Sequence, residues 1–245
     1  MQNLFSLNGK VIILTGGSGF LGSYYMRALR DAGAIVIDWD LKSGIDITDD
    51  QSVAAAIENV LEKYGRVDGL VNNAALDAKP HSDPASNWKP YEEFPMDLWE
   101  RELAVNLTGA MRVTKVVVPY MMRQRFGSII FVASDLALIA PNNSIYDAGR
   151  FKDIAYITSK AGLLGLMRAW ASRLGSYNVR VNAFVPGGVF NGHSEEFVKK
   201  NGALNMLGRM AEPNEYSGAI IFLLSDASTF MTGSCMVMDG GRTAW

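Results

Sequence analysis

The chain has 245 residues, 49% of them apolar and 20% charged, and 23 Lys and Arg against 25 Asp and Glu leave a formal charge of −2. A chain this long buries roughly three quarters of its unfolded surface and needs no disulfide or metal staple. A lone cysteine, Cys235, with two histidines, His81 and His193, excludes an internal disulfide, a thiolate zinc cluster and a His-rich metal site, and no basic run points to nucleic acid.

Met1 to Lys10 carries neither a basic stretch nor a long apolar one, and the longest apolar runs, such as Ala219 to Leu224, are too short for a bilayer. The expectation is a cytoplasmic protein without a membrane partner, folded as one domain over residues 1–245.

In chain order, short apolar runs alternate with helical patterns. Strands are expected at Lys10 to Thr15, Gly33 to Asp40, Val67 to Val71, Ser128 to Ala133, Val179 to Val185 and Cys235 to Met238. Helices are expected near residues 20–32, 48–64, 96–125, 153–175 and 213–225. Such alternation predicts an α/β fold: a doubly wound parallel sheet with helices on both faces. Only residues 41–44 separate the second strand from Ile45-Asp46-Ile47, whereas a parallel crossover needs about a dozen. The third strand of such a fold is therefore expected to be vestigial or missing. The helices over 103–122 and 157–174 are apolar all round, which predicts a second buried face and a homodimer or homotetramer.

The first strand runs into Thr15-Gly16-Gly17-Ser18-Gly19-Phe20-Leu21-Gly22, where Gly17, Gly19 and Gly22 fit G-x-G-x-x-G. The glycines follow a strand, open a helix and have Asp40 at the next strand's end, a context that marks a dinucleotide site. Missing Cβ atoms let backbone approach a pyrophosphate, and the helix start supplies N–H donors. Asp40 would bond a ribose diol and repel the extra phosphate of NADP, so NAD is favoured, with Lys42 the nearest compensating cation. Alternation points Asp38 to the opposite side from Trp39, in a structural role.

Further motifs follow in order: Asn72-Asn73-Ala74-Ala75, Asn106, Ser134, Tyr156-Ile157-Thr158-Ser159-Lys160, Asn182 to Gly187, and Asp239-Gly240-Gly241. Together they resemble the short-chain dehydrogenase/reductase family over some 230 residues. The resemblance implies a Rossmann-type, NAD(P)-dependent enzyme, commonly tetrameric. It implies Tyr156 as acid/base, Lys160 as its partner, Ser134 as the donor to the reacting oxygen, and Asn106 as a helix-kinking residue in a proton relay. It also implies cofactor contacts at Gly16, Gly19, Phe20, Leu21, Asp46, Asn73, Ala74, Pro186, Gly187 and Val189. Independently, Lys160 lies one helical turn beyond Tyr156 on the same face, and its charge would favour tyrosinate.

The sequence departs from the pattern in three places. Phe20 stands where compact members carry Gly, and the spacing Gly16, Gly19, Gly22 resembles the sugar-nucleotide branch. Tyr156 follows Ser134 by 22 residues, the extra ones falling in Pro141 to Asp153. Leu76 to Pro95 is a long polar loop. The ensemble is similar to oxidoreductases of bacterial surface-glycan and flagellin modification, which implies a sugar-like substrate. The insertion carries Arg150 and Lys152, either of which could bind an anionic group on it. His193 follows Pro186-Gly187-Gly188 in the segment where the family has a mobile lid. The reading is an NAD-dependent oxidoreductase acting on a secondary alcohol or ketone. A sugar-nucleotide epimerase or dehydratase and a non-enzymatic NAD sensor are the alternatives.

Overall fold

The computed structural model describes residues 3–77 and 88–245; His81 and residues 78–87 of the loop from Leu76 to Pro95 lie outside them. Six strands form one parallel sheet in the order β2-β1-β3-β4-β5-β6. They are β1 (Val11–Thr15), β2 (Ile35–Trp39), β3 (Gly69–Asn72), β4 (Gly127–Val132), β5 (Val179–Pro186) and β6 (Cys235–Met238). The central strands β1, β3 and β4 are buried at every residue, as sheets covered on both faces require.

One face is covered by α2 (Asp50–Tyr64), α4 (Ala110–Gln124) and α5 (Ile154–Leu174). Their apolar sides meet Ile13, Leu70, Ile129 and Val181 from the sheet. The other face is covered by α1 (Phe20–Asp31) and α7 (Ser217–Leu224), against Ile12, Leu14, Val71, Ile130 and Phe184. Alternate residues of each strand thus serve opposite cores, the period-2 rule at work.

The expected third strand is absent. After Trp39 the chain forms a single 3-10 turn at Leu41–Ser43, closed by Asp40 and Ser43, which exchange side-chain and backbone hydrogen bonds. It then enters α2 directly, and β2 is left as the sheet edge.

The helix expected over 96–125 is three pieces rather than one. Between α3 (Met96–Leu103) and α4 lies a wide π-helical turn, Ala104–Gly109. There Asn106 turns its amide out of the helix to both backbone groups of Leu76, at 2.7 and 2.9 Å. Satisfying a neighbouring loop opens the helical ladder, a recognised cause of π-bulges. A helix the periodicity did not reveal, α6 (Glu195–Gly202), follows β5; it is only two turns long, with Ser194 capping its start.

Asp68, at the entry to β3, is buried. Its carboxylate accepts from Val11 N at 2.8 Å and from the half-exposed Arg66. Removing the carboxylate would strand a buried backbone N–H at the start of β1, which costs about 1–3 kcal/mol. Asp68→Ala is expected to lower the unfolding free energy by about that amount in urea titrations. A change below about 0.5 kcal/mol would show that β1 does not depend on this bond.

Candidate active site

A cavity of about 500 Å³ opens along the carboxyl ends of the strands, where ligands bind in open parallel sheets. Gly16, Gly19, Phe20, Leu21, Asp40, Asp46, Asn73, Ala74, Ser134, Tyr156, Lys160, Pro186, Gly187 and Val189 all line it. Asn106 does not. It sits beneath the wall, bonding Leu76 and Ser159.

The nucleotide end is built on backbone. Gly16 adopts φ +67°, and a Cβ on Gly22 would lie 2.0 Å from the Gly16 carbonyl oxygen. Asn73 locks this loop, donating from Nδ2 to Thr15 O and Gly16 O at 3.0 and 3.2 Å. Gly17, which the sequence pattern placed in the phosphate motif, faces away from the cavity. Its N–H and the Ser18 hydroxyl are held by Asp38, which confirms that residue's structural role. Gly19 caps α1 without a side-chain hydrogen bond, and no acidic residue occupies the first turn. The exposed N–H groups and positive dipole end therefore remain available to an anion. Asp40 lies at the end of β2, and Asp46, its carboxylate held by Thr48, sits further along. Bonding to Thr48 keeps the Asp46 carboxyl below its ordinary range. These residues fit a dinucleotide: a cradle without Cβ atoms for the pyrophosphate and a carboxylate for a ribose diol.

At the catalytic end, Asp153 caps α5 and accepts from Ala155 N and Tyr156 N, which fixes where the helix starts. One turn on, Lys160 reaches back across the sheet end and donates to Val132 O at 2.8 Å. Its burial pulls the amine down to about 8. A second cation, Lys152, joins Lys160 beside Tyr156. Burial raises the Tyr156 phenol above its ordinary value, and the groups drawing it back are Lys152 and the Ser134 hydroxyl. Lys152 Nζ lies 4.4 Å from the Tyr156 ring centre, closer than Lys160 Nζ at 5.5 Å. An ion pair with Asp77 holds Lys152 there.

Several residues the motifs did not reveal complete this end. Ser134 donates to Asp135 at 2.8 Å, and Asp135 pairs with Arg242 from the chain's end. Burial raises the Asp135 carboxyl above its ordinary value. Trp88, Tyr146, Phe197 and His193 form an aromatic wall, with successive ring centres 5.1, 5.8 and 4.9 Å apart. Arg150, one of the two cations the insertion offered, does not reach the main cavity. It packs over Trp88 and lines a side pocket, so the insertion contributes Tyr146 and one cation, Lys152, to the cavity.

Comparison with known proteins gives the class. A family model described as enoyl-(acyl carrier protein) reductase matches residues 29–243. A 3-oxoacyl-[acyl-carrier-protein] reductase of Thermotoga maritima is 34% identical over 96% of this chain and 98% of its own. A D-threitol dehydrogenase of Mycolicibacterium smegmatis is 30% identical over 98% and 95%. A crystal structure of an NAD+-bound xylitol dehydrogenase superposes with a TM-score of 0.84 at 27% identity, covering 96% of this chain and 99% of that one. The chain belongs to the short-chain dehydrogenase/reductase family and is an NAD(P)-dependent oxidoreductase. Among the described residues no helix is long and apolar enough to cross a membrane.

Behind Tyr156 lies a second titrating unit. Glu102 on α3 is buried against Asp153, and one oxygen of each carboxylate lacks a hydrogen-bond donor among the described residues. Two buried carboxylates in contact share one proton more readily than they both ionise. Burial, with Asp153 beside it, raises Glu102 from its ordinary 4.5 to about 8. The native state therefore holds a proton that the unfolded chain has released. Stability from this pair is complete below about pH 4.5 and is lost as pH rises through about 8. Glu102→Gln, whose amide can donate to Asp153 at any pH, should lose less stability than wild type between pH 5 and pH 8.5 in urea titrations. Parallel curves would show that Glu102 does not hold a proton in the native state.

Proposed function

We propose that this enzyme is an NAD-dependent dehydrogenase of small polyhydroxylated molecules, working as one catalytic domain. The observation that carries the reading is the convergence of Ser134, Tyr156 and Lys160 on a cavity end walled by both charged and aromatic side chains. Carboxylates at Asp77 and Asp135 suit hydroxyl donors, and aromatic rings suit the C–H faces of a polyol or sugar. An acyl chain would press hydrocarbon against those charged groups and give them no hydrogen-bond donor.

Nicotinamide, when bound, supplies the acceptor for the hydride leaving the carbinol carbon. The chain's residues do the rest. Ser134 holds the reacting oxygen, and Tyr156 takes the hydroxyl proton as the carbonyl forms, or returns it in the reverse direction. Lys152 and Lys160 flank the phenol with positive charge, which favours tyrosinate. Asn106 fixes the Leu76 loop and contacts Ser159, three residues beyond Tyr156, so its part is to position the site rather than to touch substrate. Asp40 at the ribose position supports NAD over NADP; Lys42 is turned to Ser18 O. Tyr156→Phe is expected to keep cofactor binding and lose turnover by at least about 100-fold. Wild type assayed with alditols is expected to show higher kcat/KM with NAD than with NADP. Near-normal turnover of the variant would remove Tyr156 from the chemistry, and preference for NADP would overturn the Asp40 assignment.

The assembly reading is a homodimer or homotetramer. Leu107, Met111 and Val116, and Leu166 and Trp170 on α5, are left half-buried or exposed at the margin of the core. Apolar faces on adjoining long helices suit a second copy of the chain. Light scattering at micromolar concentration is expected to give a dimer or tetramer mass; a monomer would contradict it.

A further inference from the structure

The chain ends in a turn that places a cation inside its own active site. Asp239, just after β6, accepts from Gly241 N at 2.9 Å and from Thr243 N at 2.7 Å. Gly240 and Gly241 adopt φ +68° and +87°, a left-handed pair that folds the backbone over on itself. The turn is seated on β5, since a Cβ on Gly187 would lie 2.7 Å from Asp239 Cα. It starts a short 3-10 turn at Arg242, whose side chain is only 8% exposed and lines the cavity.

Arg242 is incompletely used by the protein. Its Nε lies 3.3 Å from Asp135 Oδ2, and among the described residues its Nη1 and Nη2 make no hydrogen bond to protein. Among the described residues, Asp135 Oδ2 has no hydrogen bond besides that ion pair, and Trp88 Nε1, also in the lining, has no hydrogen-bond acceptor. Leaving such groups unpaired is costly, so a cavity that carries them is built to have them met. The other candidate cation, Lys152, is already committed: Asp77 holds its ammonium, which sits over the Tyr156 ring. Among the described residues, the charges lining the catalytic end are Lys152, Lys160 and Arg242 with Asp77 and Asp135, and of the three cations Arg242 alone presents a planar fork. The planar Nη fork suits a carboxylate bidentately.

We propose that Arg242 is the carboxylate anchor of the substrate site, so that the enzyme oxidises a hydroxyl of a polyhydroxylated acid. This rests on the polyol-dehydrogenase reading above and narrows it. Asp135 links the anchor to the chemistry: one of its oxygens takes the Ser134 hydroxyl and the other faces the guanidinium. The carboxylate therefore sits a few carbon atoms from the carbinol held by Ser134 and Tyr156. In the reaction the carbinol C–H electron pair leaves as hydride to oxidised nicotinamide, the hydroxyl proton goes to Tyr156, and a ketone forms. The carboxylate is unchanged and serves only to set which carbon is presented.

The test compares five- and six-carbon aldonates with alditols and alditol phosphates of the same length, using NAD and wild-type holoenzyme. Aldonates are expected to exceed the alditols by at least tenfold in kcat/KM, and to exceed the alditol phosphates. Arg242→Gln is expected to collapse the aldonate-to-alditol ratio to within about threefold of unity, through KM for the aldonate; Arg242→Lys is expected to recover part of it. Thermal melts with NAD establish that each variant is folded. Should Arg242→Gln not fold, competition of unreactive aliphatic hydroxydicarboxylates against alditol oxidation by wild type gives the answer. Inhibition competitive with the alditol supports the anchor, and its absence overturns it. Efficient oxidation of alditols with no aldonate preference would overturn the anchor and leave the dehydrogenase reading standing. Best activity with an alditol phosphate would also overturn it. Failure of every alcohol in the panel would instead strike the polyol reading beneath it.

Discussion

An all-parallel sheet collects the carboxyl ends of its strands at one edge, and every part of this active site depends on that geometry. Thr15 and Gly16 leave β1, Asp40 leaves β2, Asn73 leaves β3, Ser134 leaves β4, Gly187 leaves β5 and Asp239 leaves β6. Each strand is locked in register by hydrogen bonds to its neighbour, so each of these residues is placed by the ladder rather than by its own loop. Loops then need only short reaches to assemble a cofactor cradle at one end of the crevice and acid–base chemistry at the other.

The catalytic helix shows how local contacts tune that frame. Asp153 sets the first turn of α5, and its neighbour Glu102 bears on the same carboxylate from α3. Lys160 is tied to the end of β4, and Lys152, over the Tyr156 ring, is tied to Asp77. The phenol is thus positioned by three elements, and the Lys152 ammonium and the Ser134 hydroxyl work against the desolvation that raises it.

Much of this was legible in the residues alone. Six strands, the missing third strand and the nucleotide end followed from run lengths, the short interval after Asp40 and the glycine spacing, because backbone needs leave strong local marks. Tyr156, Lys160 and Ser134 were legible through their order in a family pattern. Gly17 misled because the two overlapping glycine spacings are distinguished only by which glycine meets Asp38. Helix α6 is too short to show a period, and the π-turn at Asn106 arises from a tertiary bond to Leu76 that no local propensity encodes. Asp135, Arg242, Trp88 and Glu102 went unseen for one reason: each acts through a partner distant in sequence. An acid directly after Ser134 and a cation directly after Gly240-Gly241 were the only local traces; Glu102 is one of three carboxylates on α3 and nothing local sets it apart.

The central claim is that these residues move a proton while hydride passes directly between a carbinol carbon and nicotinamide. The most direct measurement uses purified enzyme, NAD and an aldonate or alditol deuterated at its carbinol carbons, with proton NMR of the reduced cofactor. The account predicts one deuterium at the C4 position of the dihydronicotinamide ring, on a single face, for each ketone formed. Ketone formation without deuterium in the cofactor, or reduced cofactor carrying only solvent hydrogen, would contradict it.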